Sequence, residues 1–529
     1  MNLSSEKKKD AEEFDHDVVV YGGTPAGIAA AVVAAEHGMR VLLLEPTSHI
    51  GGMNTNGLNT AETEHMVESS LGGFALRFYQ RLGEAYGLAE PEFHFESSVA
   101  EKVFEEMLDV AAVRVSKKSR LLSVVTHGSK IHAVCIVGPE GERHIKSHVF
   151  IDASYEGDLL AQSGVSWTIG RESIQEFGED AAGARFDGAE HEAPTRDRGG
   201  RLLPGISCTL EDVCVGGADS EVMCYNLRPT LTRDPAWRVP MPAPSSYDPL
   251  YFEIAAGWIL AMMRSGWTPA VGDLVDLYER RNQKLEANNC QAAVFSLGTL
   301  GIQSAWSTAN LSDREAIFQR HIDHTLGYFY FLTHDERLPE RLRAEARALG
   351  LHSGEFIDSD HLPRQLYVRE GRRMRGRTVV TQHDVILDRT KDDSIGVCSH
   401  FIDCHHVRRV ELRPGCFANE GRIWRRGQAY QIPYRAITPK ESECENLLVP
   451  VAASFSHVAY ASFRLESVWM VAGHAAGVAA ALAMKHGCGV ADVPIHQLQA
   501  TLRADGQVVD LSGLPSQEFQ GGDGGWIET

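Results

Sequence analysis

The sequence predicts an α/β fold in which a central parallel sheet carries a β-meander and an α+β domain is inserted into the chain. Three observations predict it. Asp17–Tyr21 and Val41–Leu44 are short apolar runs, suited to buried parallel strands. Between them lie a glycine turn (Gly22, Gly23, Gly27) and a small-residue helix, Ile28–His37. The same texture returns only after residue 428, as strand Asn446–Val451 and helix Glu466–His486. Strand, glycine turn, helix, strand and terminal acid, in that order, make the Rossmann-like unit of dinucleotide sites.

In that unit, glycines let backbone N–H groups approach a pyrophosphate at a helix N-terminus. Glu45, ending the second strand, is placed to accept ribose hydroxyls. The usual G-x-G-x-x-G becomes Gly22-Gly23-Thr24-Pro25-Ala26-Gly27. Thr24 stands at the middle glycine, so Gly23 or Thr24 has to supply the close backbone approach. An ordinary βαβ unit with a glycine turn is the alternative, and the register of all five parts weighs against it.

Leu71–Gly87 and Ser98–Ala112 carry helical periodicity. Val113–Val115, Leu121–Thr126 and Ile131–Val137, with a turn at Gly138–Gly141, read as a small meander, and His148–Asp152 as a further buried strand. From about Gly170 to Gly427 the texture changes: a proline-rich loop at Arg228–Pro249, helices at Ser312–Phe331 and Pro339–Leu349, and an arginine-rich helix, REGRRMRG, from Arg369. The expected organisation is a disordered lead-in over 1–14, a discontinuous nucleotide domain over 15–170 and 428–505, an inserted substrate domain over 171–427, and a tail over 506–529.

The formal net charge of −20 over 529 residues disfavours nucleic acid and anionic membrane as partners. The polar N-terminus has no apolar core of a signal peptide, which points to a cytoplasmic location. Ten cysteines without a CxxC pair read as buried thiols. Val468–Met484 is the most membrane-like run, but it is short, rich in Ala and Gly, and interrupted by His474, so it reads as a buried helix. The expected partner is a small-molecule substrate, and nothing in the sequence sets the oligomeric state.

The opening unit alone leaves NAD and FAD open. The Gly51–Gly52 pair, six residues after Glu45, resembles the FAD-binding pattern of glutathione-reductase-like flavoproteins. FIDASYEGD (Phe150–Asp158) resembles their second motif, NLLVPVAA (Asn446–Ala453) the late strand before the flavin, and SFRLESVWMVAGHAAGVAAA (Ser462–Ala481) the final helix. Together with HTLGYFYFL, QLYVREGRRMRG, SHFIDCHH and IPYRAITP, these stretches resemble the FAD-dependent oxidoreductases of the FAD-oxidored group across nearly the whole chain. The resemblance implies a two-domain flavoprotein that binds FAD, without implying a substrate. It implies cofactor contacts at Gly22, Gly23, Thr24, Pro25, Ala26, Gly27, Glu45, Pro46, His49, Gly51, Gly52, Met53, Val115, Ala153, Ser154, Gly157, Asp158, His457, Glu466 and Gly477. The chain departs from the pattern at Thr24 and Asn56. Leu297–Gly301 is too short for a second glycine fingerprint, so no built-in NAD(P)H domain is expected.

A flavin dehydrogenase needs a base for the departing proton, and histidine suits neutral pH. CSHFIDCHH offers His400, Asp403 and His405 as a histidine base oriented by a carboxylate, with a plain β-hairpin as the alternative. Cys398, Cys404, His405 and His406 are ligand types, but their spacing fits no standard zinc pattern, and no metal is expected. Arg369 and Arg373, with Arg372 between them, are expected on one helix face, either to hold a carboxylate or polyol or simply to be solvated. His457 and Arg464 precede the flavin-facing helix. His49 lies where FAD can be attached covalently, although a non-covalent contact or a plain loop residue is the favoured reading. The expected reaction is dehydrogenation of a small polar molecule by hydride transfer to flavin N5. A monooxygenase with an external reductant and a non-catalytic electron carrier are the alternatives.

Overall fold

The computed structural model describes residues 14–515. Most of the expected lead-in and the glycine-rich end of the tail lie outside the described residues.

β1 (His16–Tyr21) and β2 (Val41–Leu44) flank α1 (Pro25–Glu36). Helices α2 (Gly73–Ala85) and α3 (Ser97–Val110) follow, then β3 (Arg114–Ser116), β4 (Arg120–His127), β5 (Lys130–Gly138) and β6 (Gly141–Asp152). The main sheet runs β3-β2-β1-β6-β5-β4, and the late strand Leu447–Leu448 pairs with β6. β6 serves two layers. Its first half pairs antiparallel with β5, and its second half runs parallel beside β1 and the late strand. The sequence explains the change. GERHIKSH alternates apolar with polar, as a half-solvated meander requires, whereas VFID is buried throughout, as a covered parallel strand requires.

The late helix, Glu466–His486, lies against α1. Small residues make this possible: a Cβ added at Gly473 would overlap the Ala26 carbonyl, and one at Gly477 would come within 2.6 Å of Ala30 O. The helix is long and apolar enough to cross a bilayer, but 94% of its apolar window is buried inside the protein. Its apolarity is therefore used in packing, as the sequence suggested.

Between β6 and the late strand the chain builds a second, antiparallel sheet. Its strands run Arg238–Val239, Gly350–His352, Thr230–Thr232, Lys284–Asn289 and Val275–Arg280 in spatial order. This sheet shares a separate core with helices Glu253–Arg264 and Leu311–His334, built on Phe252, Phe295, Tyr328 and Phe331. Tyr367, Val385, Ile395, Cys398 and Ile432 instead pack into the first core.

The expected helix REGRRMRG is absent. Arg373–Met374 forms a short strand against Trp167–Thr168, and the preceding residues are irregular. Gly371 passes so close to Tyr155 that an added Cβ would lie 2.7 Å from Tyr155 O. An extended path also lets each arginine reach a different partner. Arg369 and Arg373 therefore do not share a helix face.

Candidate active site and cofactor cradle

The glycine turn closes on β6. Gly22 adopts φ +101°, and a Cβ there would stand 2.7 Å from Ser154 N. A Cβ on Gly27 would overlap Gly22 O. Thr24 caps α1, with Pro25 at the first helical position: its hydroxyl accepts from Gly27 N at 3.2 Å and donates to Ala153 O at 2.8 Å. The departure from glycine thus ties the turn to the end of β6. Gly23 N donates to Glu45 Oε2 at 2.7 Å, and Thr47 N to Glu45 Oε1 at 2.6 Å. Glu45 is buried beneath the turn, and burial pushes its pKa up. Half-buried Pro46 follows it, and Val115 on β3 sits beside Leu43.

In the second motif, Asp152 accepts from Ser154 N, Ser154 Oγ and Leu160 N at 2.6–3.0 Å, and burial lifts its pKa to about 6. Gly157 turns the chain into Asp158. Asp158 is clasped by Arg314 at 2.7 and 2.8 Å and by Arg372 at 2.9 Å. Arg314 comes from the long helix Leu311–His334, so this carboxylate ties the nucleotide motif to the insertion.

The loop of the glycine pair meets the late helix. Gly52 adopts φ +51°, and a Cβ there would overlap the Tyr155 hydroxyl and stand 2.9 Å from Pro25 Cδ. That hydroxyl accepts from Met53 N at 3.0 Å and donates to Glu466, the first residue of the late helix. Burial lifts the Glu466 pKa to about 8. Glu466 Oε2, Trp469 Nε1 and both amide atoms of Asn54 are buried without a hydrogen-bond partner. Unpartnered polar atoms of this kind are rare in native interiors. A cofactor with a pyrophosphate at one end and a polar ring at the other fits: glycine cradles at the first end, orphaned donors and acceptors at the second. Asn54 was not singled out from the sequence. Its signal is a polar side chain two residues after a glycine pair in an otherwise buried loop.

Gly477 and His49, both expected as cofactor contacts, have the following neighbours within the protein. Gly477 packs against Ala30 and Ala34 of α1, where its role is helix contact. His49 has both ring nitrogens engaged by carboxylates, Nδ1 with Glu101 at 2.7 Å and Nε2 with Asp358 at 2.6 Å. These pairs, Glu101 foremost, raise its pKa, and neither nitrogen is free to attach a cofactor.

His400, Asp403 and His405 fall into one buried polar cluster, in which Asp403 lies by His405 and His400 by Glu62. His400 Nε2 lies 3.5 Å from Glu62 Oε2, not beside Asp403, and its Nδ1 hydrogen-bonds with Phe401 O at 2.9 Å. Glu62 sits in left-handed backbone at φ 56°. Burial works against its charge, yet His400, Arg464 and Arg228 hold its pKa at about 2. Asp403 receives Arg464 at 2.8 Å and lies 3.5 Å from His405 Nε2. Burial opposes its charge too, but His405 and Arg464 keep it well below the ordinary range. Burial and then the Arg369 charge push His405 down to about 3, so it is a neutral imidazole with an unpartnered Nδ1. Glu62, Tyr367 and Arg228 were missed in the sequence because they are scattered over three segments.

His457 forms the centre of a second group. Its Nε2 lies 3.3 Å from Cys404 Sγ, and its Nδ1 lies 2.8 and 3.0 Å from the two oxygens of Glu370. Burial lowers its pKa, but the Glu370 charge and Cys404 outweigh it and lift it to about 10. Arg373 joins Glu370 at 3.2 Å to Glu172 at 3.0 Å. Of the arginines in REGRRMRG, Arg372, Arg373 and Arg375 hold carboxylates, whereas Arg369 bonds only to Cys224 O at 2.5 Å and Asn226 Oδ1 at 2.8 Å.

The family profile described as FAD dependent oxidoreductase matches residues 17–502. No curated protein matches the chain. A geranylgeranyl bacteriochlorophyll reductase-like protein from Thermoplasma acidophilum matches at 11% identity, over 93% of this chain and 84% of that one, with a TM-score of 0.37. AlpK matches at 14% identity over 37% of this chain and 41% of that one (TM-score 0.24). OxyS anhydrotetracycline hydroxylase from Streptomyces rimosus matches at 14% identity over 36% and 38% (TM-score 0.22). The chain thus spans about two fifths of the length of the last two.

Proposed function

The chain belongs to the FAD dependent oxidoreductases, and from that premise we propose that it dehydrogenates a small polar organic substrate, with hydride passing to flavin N5. FAD, when bound, supplies the hydride acceptor. The turn closed by Gly22 and Gly27 would receive the pyrophosphate at the N-terminus of α1, and Glu45 would accept ribose hydroxyls. Asn54, Trp469 and Glu466 would satisfy the polar edge of the ring, Glu466 as a neutral acid able to donate. The observation that carries the proposal is the convergence of half-buried Glu62 with buried His400, Asp403, His405 and Arg464. A carrier of electrons alone has no use for so many desolvated charges.

Within that cluster His400 Nε2, which makes no hydrogen bond, is the proposed proton acceptor; Phe401 O fixes the ring through Nδ1, and Glu62, 3.5 Å from Nε2, stabilises the imidazolium that results. His405, neutral down to about pH 3, is too weak a base and serves as a hydrogen-bonding group. The residues between β6 and the late strand provide the substrate side of the site. A cytoplasmic location completes the proposal and accords with ten free cysteines. Anaerobic mixing with a panel of hydroxy acids, amines and polyols tests the reaction. Bleaching of the flavin by one class supports it. Bleaching only by NAD(P)H, with oxygen consumed afterwards, overturns it in favour of a monooxygenase.

A further inference from the structure

Among the described residues, two buried guanidinium groups lack a carboxylate, Arg369 and Arg409, and they differ in a way that assigns them different uses. Arg409 places all three nitrogens on protein acceptors: Nε on Asn419 Oδ1, Nη1 on Gly205 O and Nη2 on Val294 O, at 2.6–3.0 Å. It lies over Phe295 and Phe417 and is fully used in holding the insertion core. Arg369 is completely buried, yet its five N–H groups meet only two acceptors, and its Nε has none. Arg228, Arg372 and Arg373 also leave Nε without a hydrogen bond, but each of them holds a carboxylate. Arg369 has no carboxylate oxygen within 4 Å among the described residues.

A buried charge without a counter-ion costs several kcal/mol; Arg409 offsets that cost with three protein acceptors, whereas Arg369 leaves most of its N–H groups unmet. The surroundings indicate what that ligand is. The Arg369 guanidinium lies 4.4 Å above the Tyr367 ring, with Arg228 5.6 Å from the same ring and Arg464 donating to the Tyr367 hydroxyl at 3.0 Å. Arg228 and Arg464 are neutralised by Glu286 and Asp403. His405, which feels the Arg369 charge, offers the second orphaned atom, Nδ1. A planar guanidinium fork with an unpartnered Nε edge matches the two oxygens of a carboxylate.

We propose that Arg369 binds a carboxylate group of the substrate, so that the molecule dehydrogenated at this site is an organic acid. The proposal rests on the dehydrogenase reading for the word substrate, but not for the anion site. Arg369 holds the carboxylate through its Nε edge, and Tyr367 fixes the plane of the guanidinium.

The test uses the flavin-loaded chain and small carboxylates as probes (malonate, succinate and lactate), with inorganic phosphate and chloride as comparators. Binding is read from the flavin spectrum and from the thermal midpoint. The expected result is saturable binding of at least one carboxylate, a raised midpoint, and about 100-fold weaker binding in Arg369→Gln, equivalent to ~2.7 kcal/mol. Arg369→Lys keeps the charge without the fork and recovers only part of the affinity. Without ligand, Arg369→Gln is expected to be as stable as the unaltered chain, since an uncompensated charge has been removed. Carboxylates that neither bind nor raise the midpoint of the unaltered chain overturn the proposal, as do equal affinities in Arg369→Gln. Failure of Arg369→Gln to fold with its flavin also overturns it, by showing a structural role. Carboxylate binding at Arg369 without flavin bleaching would leave this site standing and sink the dehydrogenase reading. Bleaching by uncharged polyols, indifferent to Arg369, would do the reverse.

Discussion

Replacing Glu466 by Gln isolates one buried proton. Glu466 opens the late helix, is 3% exposed, and has the Tyr155 hydroxyl as its hydrogen-bond donor. Two effects compete there. The helix N-terminus favours a carboxylate by ~0.3–1 kcal/mol, whereas removing the charge from water costs several kcal/mol. Burial wins, and the group titrates at about 8 instead of its ordinary 4.5. Between those values the folded chain keeps a proton that the unfolded chain has lost. Stability therefore falls as pH rises from 4.5 towards 8, by up to ~5 kcal/mol. Gln keeps the shape and the hydrogen-bonding edge but cannot ionise. Urea melts at matched flavin content, run from acid to alkaline pH, should show the two proteins equal below pH 4.5 and Glu466→Gln the more stable above pH 8. Parallel profiles would refute a neutral Glu466, and with it the donor assigned to the flavin edge.

Gly27→Ala is expected to abolish FAD retention on a desalting column, because the added Cβ overlaps Gly22 O; a yellow variant would contradict the cradle. His457→Gln should cost ~3–5 kcal/mol by breaking a buried ion pair. His457 has its pKa raised to about 10 from 6.5, so that stabilisation is complete below pH 6.5 and lost as pH climbs through 10; a pH-independent deficit would argue against the Glu370 pairing. Acid precipitation of the unaltered protein should leave the flavin in the supernatant, since both His49 nitrogens are taken. Colour in the pellet would reverse that reading.

The cofactor unit was legible because its constraints are local. Gly22, Gly27 and Glu45 act within one βαβ unit whose spacing is set by strand and helix geometry, so sequence order translates directly into space. The same holds for β6, whose change from alternating to continuous burial is written in GERHIKSHVFID. The arginine segment was not legible. Helical spacing of Arg369 and Arg373 implied a shared face, but Gly371 and the close approach to Tyr155 draw the chain into an extended path. His400 and Asp403 were found as a local cluster, yet the true partner of His400, Glu62, lies 338 residues earlier in the chain. Non-local pairing of buried charges depends on tertiary packing, and no periodicity records it. The distinction between Arg369 and its neighbours is of the same kind: it depends on which carboxylates the fold brings near.

Anaerobic mixing of the flavin-loaded protein with organic acids that carry an oxidisable C–H beside a hydroxyl or amine tests the central claim most directly. Flavin bleaching by such an acid, about 100-fold or more weakened in Arg369→Gln and slowed in His400→Gln with little change in substrate affinity, is the predicted result. Flavin that stays oxidised with every acid, amine and polyol donor would contradict it.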